Sequence, residues 1–333
     1  MFGSRFSRRP ADSGRRRIVL GLSSLALAGL CGCGANRQPL RIASQVWPGY
    51  EFMFLARDEG WLDPGQIRLI ETTSATDSMH LLSAGMADGA ALTLDEVLRV
   101  RAGGIPLVVV AVFDFSSGAD VLLARPGIAK LTDIRGARIG VDHSAVGALM
   151  LGEALRVAKL TVADIHPVRL FPDEQEKAWR SGRIDALITY EPVATRIENL
   201  GGIRLFDSRS LPGTIVDVLA INPQALQTKG EAVRALIAAH FRALQRFRTN
   251  PQDSAYRLAP RLKFVANEVL ATYKNLNLSS LKENWRLLGS ASPALLDTAQ
   301  EVSALMQSEK LLPVAPPLAG LIDPAYLPAA ETQ

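Results

Sequence analysis

Two stretches of this 333-residue chain repeat one pattern at a constant offset of 97 residues. Arg41-Ile42-Ala43 recurs as Arg138-Ile139-Gly140, and Gly85-Met86-Ala87-Asp88 recurs as Gly182-Arg183-Ile184-Asp185. In each copy a short apolar strand precedes a helical stretch, and Gly-x-x-Asp then leads into a second apolar run. The repeat predicts two similar α/β lobes, whose polar strand ends would form a cleft for a small ligand.

The N-terminal segment predicts export. Residues 1–32 carry six arginines and Asp12, a net charge of +5, so the formal charge of +4 for the whole chain becomes −1 without them. The apolar run from Ile18 to Leu30 is too short to span a bilayer and is typical of a signal-peptide core. Leu30-Cys31-Gly32-Cys33 resembles a bacterial lipobox, with ordinary signal-peptidase cleavage nearby as the alternative.

We therefore expect residues 1–32 to be a lipoprotein-type signal peptide, Cys33 to be lipidated, and residues 33–39 to be a tether. The protein would then lie in the periplasm or cell envelope, held to a membrane by its N-terminal lipid. The general secretory and twin-arginine routes both stay open. A mature net charge of −1 argues against a nucleic-acid partner, because phosphate neutralisation needs a basic face.

From Leu40 onward, short strands alternate with helices, which predicts an α/β fold of mostly parallel sheets flanked by helices. The similar runs Asp120–Ala124 and Asp217–Ile221 are interpreted as paired hinge strands between the lobes. One lobe would comprise residues 40–125 and 214–333, and the other residues 126–213. Helices are expected from Glu231, with breaks at Asn250-Pro251, Pro260 and Ser292-Pro293. The expected strands are Leu40–Ser44, Gln66–Glu71, Gly89–Thr93, Pro106–Phe113, Arg138–Val141, His166–Leu170 and Ala186–Tyr190.

Enzyme signatures are missing from the sequence. It contains no Gly-x-Ser-x-Gly elbow, Walker A loop or Gly-x-Gly-x-x-Gly fingerprint. Its four histidines lie too far apart for metal-ligand spacing, and no cysteine follows Cys33, so we expect no disulfide, metal, cofactor or catalytic residue. Asp142-His143-Ser144 is interpreted as a loop that enters a helix, with Ser144 or Asp142 as the N-cap.

The residues at the carboxyl ends of the expected strands favour ligand binding. They are rich in aromatic, hydroxyl and carboxyl side chains and contain no Lys or Arg. The candidate binding residues are Trp47, Tyr50, Ser74, Thr76, Asp95, Ser116, Asp120, Ser144, Tyr190, Glu191 and Asp217.

The charge of the ligand stays open at this point. Helix N-termini after Asp77 and His143 would suit an anion, whereas the acidic and aromatic residues would suit a cation. The alternative roles are structural: Asp77 and Asp95 would cap helices, Asp217 would brace the hinge, and Trp47 and Tyr50 would pack the lobes.

The mature sequence resembles the periplasmic solute-binding proteins of the nitrate/sulfonate/taurine class of ABC importers, which includes binders of thiamine-pyrimidine precursors. The resemblance covers about Leu40 to Leu327. It rests on Trp47-Pro48-Gly49-Tyr50, on Ala84-Gly85-Met86-Ala87-Asp88, on the run from Leu131 to Val141, and on Gly182-Arg183-Ile184-Asp185-Ala186 with Tyr190-Glu191-Pro192.

This resemblance implies a two-lobed periplasmic-binding-protein type II fold, monomeric, that closes on a ligand and delivers it to a membrane permease and its ATPase. It places Trp47, Tyr50, Ser74, Ser116, Ser144 and Glu191 where relatives hold substrate. The lack of basic residues disfavours nitrate and plain sulfonates, so an amine, a taurine-like zwitterion or a nitrogen heterocycle is expected. The rival interpretations are an enzyme of pyrimidine- or menaquinone-precursor type on the same fold, and a ligand-sensing lipoprotein.

Overall fold

The structure is a computed structural model that describes residues 1–3, 38–142 and 144–329. It divides into two units, Met1–Gln38 and Pro39–Gln333. The strands, helices and cavity of the protein all belong to the second unit. The signal peptide and Cys33 fall almost wholly outside the described residues. No helix in the described ranges is long and apolar enough to cross a bilayer.

The first sheet has six strands, and its buried side chains pack into the largest apolar core of the described residues. Its order is β11-β4-β10-β3-β1-β2, with β1 parallel to β2 and β3, and β10 antiparallel to β3 and β4. The strands are β1 (Leu40–Ser44), β2 (Ile67–Glu71), β3 (Gly89–Thr93), β4 (Val108–Ser116), β10 (Val216–Ile221) and β11 (Leu276–Leu278).

The second sheet has five strands in the order β7-β6-β8-β5-β9. Side chains alternate across β5, so Leu122 and Ala124 pack into one apolar core while Val121 and Leu123 pack into another on the opposite face. The strands are β5 (Asp120–Ala124), β6 (Arg138–Val141), β7 (His166–Arg169), β8 (Ala186–Tyr190) and β9 (Ile203–Asp207).

Helices cover both sheets and dominate the C-terminal third. Pro260 lies in the last turn of the helix Pro251–Leu262, and the chain stays helical through it, so the break predicted there is wrong. The breaks before Pro251 and near Pro293 are confirmed. The α-helices are α1 (Glu51–Asp58), α2 (Ala75–Ser83), α3 (Leu94–Ala102), α4 (Ala145–Ala158), α5 (Pro172–Arg180), α6 (Val193–Asn199), α7 (Pro223–Thr249), α8 (Pro251–Leu262), α9 (Ala266–Thr272), α10 (Leu281–Leu288) and α11 (Ala294–Ser308).

The 97-residue repeat is visible in the structure as two equivalent sets of hydrogen bonds. The Arg41 guanidinium donates to Asp88 and to the Gly85 carbonyl, and the Arg138 guanidinium donates to Asp185 and to the Gly182 carbonyl. Each Asp also accepts the backbone N–H of its Arg, at 2.8 Å in the first copy and 2.9 Å in the second. The Arg therefore ties the start of one strand to the turn that begins its parallel neighbour.

The two runs expected to pair as hinge strands do not pair with each other. Asp120–Ala124 is a central strand of the second sheet, and Asp217–Ile221 lies within the central β10 of the first sheet. Each enters antiparallel to its neighbours because the chain arrives from the other sheet, so both sheets are mixed rather than mostly parallel. The crossings are the short segments 117–119 and 208–215, and the boundary expected at residue 126 falls after β5.

Candidate functional site

A cavity lies where the two sheets meet, near the ends of β3, β5, β8 and β10. Both sheets contribute to it, together with the first residues of α2, α3 and α4. Its lining consists of Gln45, Trp47, Ala75, Thr93, Glu96, Asp120, Ser144, Val146, Tyr190, Ile215 and Asp217.

Three carboxyl groups line this cavity, and none of its described lining residues is Lys or Arg. Burial, and then the nearby Asp95, raise the pKa of Glu96 to about 8. Burial raises the pKa of Asp120 to about 7. Burial and the charge of Asp114 raise the pKa of Asp217 well above its ordinary value. At least part of these acids are therefore protonated near neutral pH.

The fully buried side-chain atoms of the lining that have no hydrogen-bond partner are all oxygens. Among the described side chains they are Gln45 Oε1, Thr93 Oγ1, Asp120 Oδ2 and Asp217 Oδ2. Glu96 is better satisfied, because its Oε2 accepts the Thr93 backbone N–H at 3.0 Å. A buried acceptor without a donor is costly, so the cavity is suited to a ligand that brings hydrogen-bond donors.

Trp47 and Tyr190 form an aromatic wall from opposite sheets. Their ring centroids lie 5.9 Å apart at an interplanar angle of 68°. The Trp47 indole N–H lies 3.2 and 3.3 Å from the two carboxyl oxygens of Asp114, which fixes the ring against the first sheet. Ring faces beside carboxyl groups form a surface that attracts cations.

Asp114 and Asp217 face each other across β4 and β10, behind this wall. The Tyr50 hydroxyl donates to Asp217 Oδ1. Burial raises the pKa of Asp114 to about 8. A Cβ at residue 49 would lie 1.8 Å from Asp114 Oδ2, so only glycine fits there. Trp47-Pro48-Gly49-Tyr50 thus folds around a buried pair of carboxyl groups.

The helix N-termini at the cavity already hold carboxyl groups of the chain itself. Ser144 caps α4 by accepting the Gly147 N–H at 2.9 Å, and its own N–H and hydroxyl both donate to Asp142 Oδ1. Ser74 caps α2 by accepting the Asp77 N–H at 3.1 Å. A ligand anion would have to compete with Asp142 at α4, so the helix dipole offers it less than the sequence suggested.

Five of the eleven candidate residues line the cavity: Trp47, Ser144, Tyr190, Asp120 and Asp217. Tyr50 lies behind it on Asp217, and Ser74 contributes its cap. Thr76 is half-buried on α2 and Asp95 is buried at the start of α3, but neither lines the cavity.

Two further candidates have structural partners instead. Glu191 is buried, and its carboxyl group accepts the Thr195 N–H at 3.1 Å and the Thr195 hydroxyl at 3.0 Å, which braces α6. The Ser116 hydroxyl lies 2.8 Å from that of Ser208 and joins the two crossings. Glu191 is thus held by Thr195 and does not line the cavity.

Glu96 is the main lining residue that sequence reasoning missed. It follows Thr93 by three residues at the start of α3, the spacing of a capping box, and that signal was available in the sequence. Gln45, Ala75, Thr93, Val146 and Ile215 were not singled out either. In the described ranges, no group of three or more His, Cys, Asp and Glu side chains is arranged to hold a metal ion.

A family model described as NMT1/THI5 like matches residues 47–254, well over half of the chain. The chain belongs to this NMT1/THI5-like family. The family resemblance derived from the sequence is thereby confirmed.

Individual relatives of this NMT1/THI5-like chain agree with the fold. A protein of Escherichia coli (strain K12), named as a proposed aliphatic sulfonates-binding protein, is 26% identical over 266 residues, which cover 78% of this chain and 83% of that protein. The alkanesulfonate-binding protein of Xanthomonas axonopodis pv. citri bound to MOPS superposes with a TM-score of 0.74 at 19% identity, covering 87% of this chain and 99% of that one.

Two further solved structures share the fold of this chain. The periplasmic aliphatic sulphonate binding protein of Escherichia coli has a TM-score of 0.69 at 22% identity, covering 86% and 97% of the two chains. A desulfurization enzyme shares the fold with a TM-score of 0.60 at 18% identity, covering 86% and 97%. The two-lobed binding-protein fold expected from the sequence is therefore confirmed, and the fold by itself occurs in both binders and an enzyme.

Proposed function

We propose that this chain is the solute-binding component of an ABC importer and that it captures a small, polar, nitrogen-containing solute between its two sheets. The relatives that carry binding-protein names support the first part. The second part rests on one observation: every fully buried side-chain atom of the described lining that lacks a hydrogen-bond partner is an oxygen. A ligand with N–H donors, such as an amine, a taurine-like zwitterion or a nitrogen heterocycle, satisfies these acceptors.

The lining also explains how such a solute would be held. An ammonium group would pair with Asp120 or Asp217, and the carboxyl group would ionise as the cation displaced its proton. Trp47 and Tyr190 would cover the cation with their ring faces. A plain sulfonate would bring negative charge to a lining that contains three carboxyl groups and no Lys or Arg among its described residues.

The same proposal covers location and partners. The protein would be exported to the periplasm, anchored through Cys33 and monomeric, and it would deliver its solute to a permease with an ATPase. The two lobes would close about the crossings 117–119 and 208–215, which are joined by Ser116 and Ser208. Mass spectrometry of the mature N-terminus tests the anchor: a diacylglyceryl group on Cys33 supports it, and an unmodified N-terminus elsewhere contradicts it.

Titration calorimetry with three compounds of one carbon skeleton tests the solute class. Ethylamine, taurine and ethanesulfonate differ only in their terminal groups. We expect saturable binding for ethylamine and taurine and none for ethanesulfonate. Binding of ethanesulfonate with no response to ethylamine would overturn the proposal and would favour a sulfonate importer.

A further inference from the structure

The 97-residue repeat is also visible among the residues that line the cavity. Asp120 and Asp217 are 97 residues apart, and so are Thr93 and Tyr190. Asp217 is paired with Thr93 across β10 and β3, and Asp120 is paired with Tyr190 across β5 and β8. All four residues line the cavity. Each sheet therefore presents one carboxyl group in the same place relative to its own strands.

Each of these carboxyl groups has a buried oxygen without a hydrogen-bond partner. Asp217 is 2% exposed, and its Oδ1 accepts the Tyr50 hydroxyl while its Oδ2 has no partner. Asp120 is 4% exposed, and its Oδ2 has no partner. The third lining acid, Glu96, differs because the Thr93 N–H already satisfies it. The buried carboxyl oxygens of the lining that lack a hydrogen-bond donor therefore lie at two positions, one on each sheet.

We propose that the solute carries two nitrogen-centred donors, one for Asp120 and one for Asp217, and that a diamine-type dication is its chemical class. This deepens the proposed function and rests on it. A monoamine would satisfy one carboxyl group and leave the other with a buried oxygen that has no hydrogen-bond partner, which is unfavourable. A dication satisfies both, and it also ties the second sheet to the first, because Asp120 and Asp217 belong to different sheets.

The aromatic wall fits the same ligand. Trp47 comes from the loop after β1 and Tyr190 from the end of β8, so an apolar ring face is available from each sheet. A short alkyl linker between two ammonium groups would lie against these rings while its ends reach the two carboxyl groups.

The test compares α,ω-diamines of two to four carbons with the monoamines of equal length by titration calorimetry on the unmodified protein. At least one diamine is expected to bind more tightly than its matched monoamine by about tenfold or more. Equal affinities would overturn this inference and leave the proposed function intact. Failure of every amine to bind would overturn both.

Variants locate the two contacts. Asp120→Asn and Asp217→Asn keep the side-chain volume, and each should bring the preferred diamine to within about threefold of the monoamine. Asp173→Asn removes the same charge from an exposed position on α5 and should leave the preference unchanged. If either cavity variant kept the full diamine preference, its carboxyl group would not be one of the two contacts and the bridging arrangement would be wrong.

Discussion

Gly49 shows how one residue can hold the site in place. Its missing side chain leaves room for Asp114, and Asp114 in turn holds the Trp47 indole. We expect Gly49→Ala to displace Asp114, to weaken solute binding and to lower the melting temperature, since a Cβ 1.8 Å from a carboxyl oxygen cannot be accommodated without movement.

Gly152→Ala is the matched control for that change. Gly152 lies within α4, where the nearest atom to an added Cβ is the end of the flexible Glu309 side chain at 3.2 Å. Alanine should leave binding unchanged and favour the helix by up to about 1 kcal/mol. Calorimetric melting and titration of both variants check the pair. Equal behaviour of the two would show that Gly49 has no special role.

Trp47 and Glu191 test which candidate residues act directly. Trp47→Ala removes half of the aromatic wall and should weaken binding by tenfold or more, about 1.4 kcal/mol. Glu191→Gln should lower the melting temperature with little change in affinity, because Glu191 braces α6 rather than the cavity. Trp61→Ala, away from the cavity and beneath Arg242, is the control for loss of an indole. An affinity loss for Glu191→Gln alone would contradict this assignment.

At the residue scale the sequence predicts the edge on which the site lies but not every side chain that enters it. Asp120, Asp217 and Tyr190 were identifiable because they begin or end strands. Glu191 follows Tyr190 directly, yet its carboxyl group turns to Thr195, and that choice depends on local turn geometry. Glu96 was missed because a capping-box glutamate has an adequate local explanation.

At the scale of elements, the two Arg–Asp ties offer a comparison within one chain. Asp88 also accepts the Lys229 ammonium at 2.7 Å, and its side chain is 9% exposed, against 30% for Asp185. Asp88→Asn should therefore lower the free energy of unfolding by about 3 kcal/mol. Asp185→Asn should lower it by about 1 kcal/mol or less. Urea unfolding of both variants checks this, and a larger loss for Asp185→Asn would contradict it.

Most strands were predictable at this scale, but β9 and β11 were not expected, and neither was the sheet that β5 joins. β1, β3, β6 and β8 have the bounds expected from their apolar runs. The place of β5 in the second sheet was not foreseen, because an apolar run records burial and says nothing about which sheet buries it. The similar sequences of β5 and β10, 97 residues apart, reflect equivalent positions in two sheets, and the two strands do not pair with each other.

For the whole molecule, the buried acids predict an unusual dependence of stability on pH. Burial raises the pKa of Asp120, Glu191 and Glu51 to about 7 and that of Asp114 to about 8. In the unfolded chain these groups titrate near 4, so above that pH the folded state binds more protons and its stability falls as pH rises towards about 8.

The pH range of the measurement is set by one other group. Burial lowers the pKa of His240 to about 3, which makes folding more favourable as pH rises to about 6.5 and has no effect above it. Urea unfolding between pH 6.5 and pH 8.5 isolates the acids. We expect the free energy of unfolding to fall by at least about 1.4 kcal/mol, the equivalent of one pKa unit. A constant or rising value would contradict the burial of protonated acids.

The central claim is that the cavity takes up a cation in exchange for protons. Titration calorimetry of ethylamine at pH 7, repeated in buffers of different ionisation enthalpy, measures that exchange directly. Our account predicts net proton release on binding, because Asp120 or Asp217 ionises as the ammonium group arrives. Net proton uptake, or binding with no proton exchange, would contradict it.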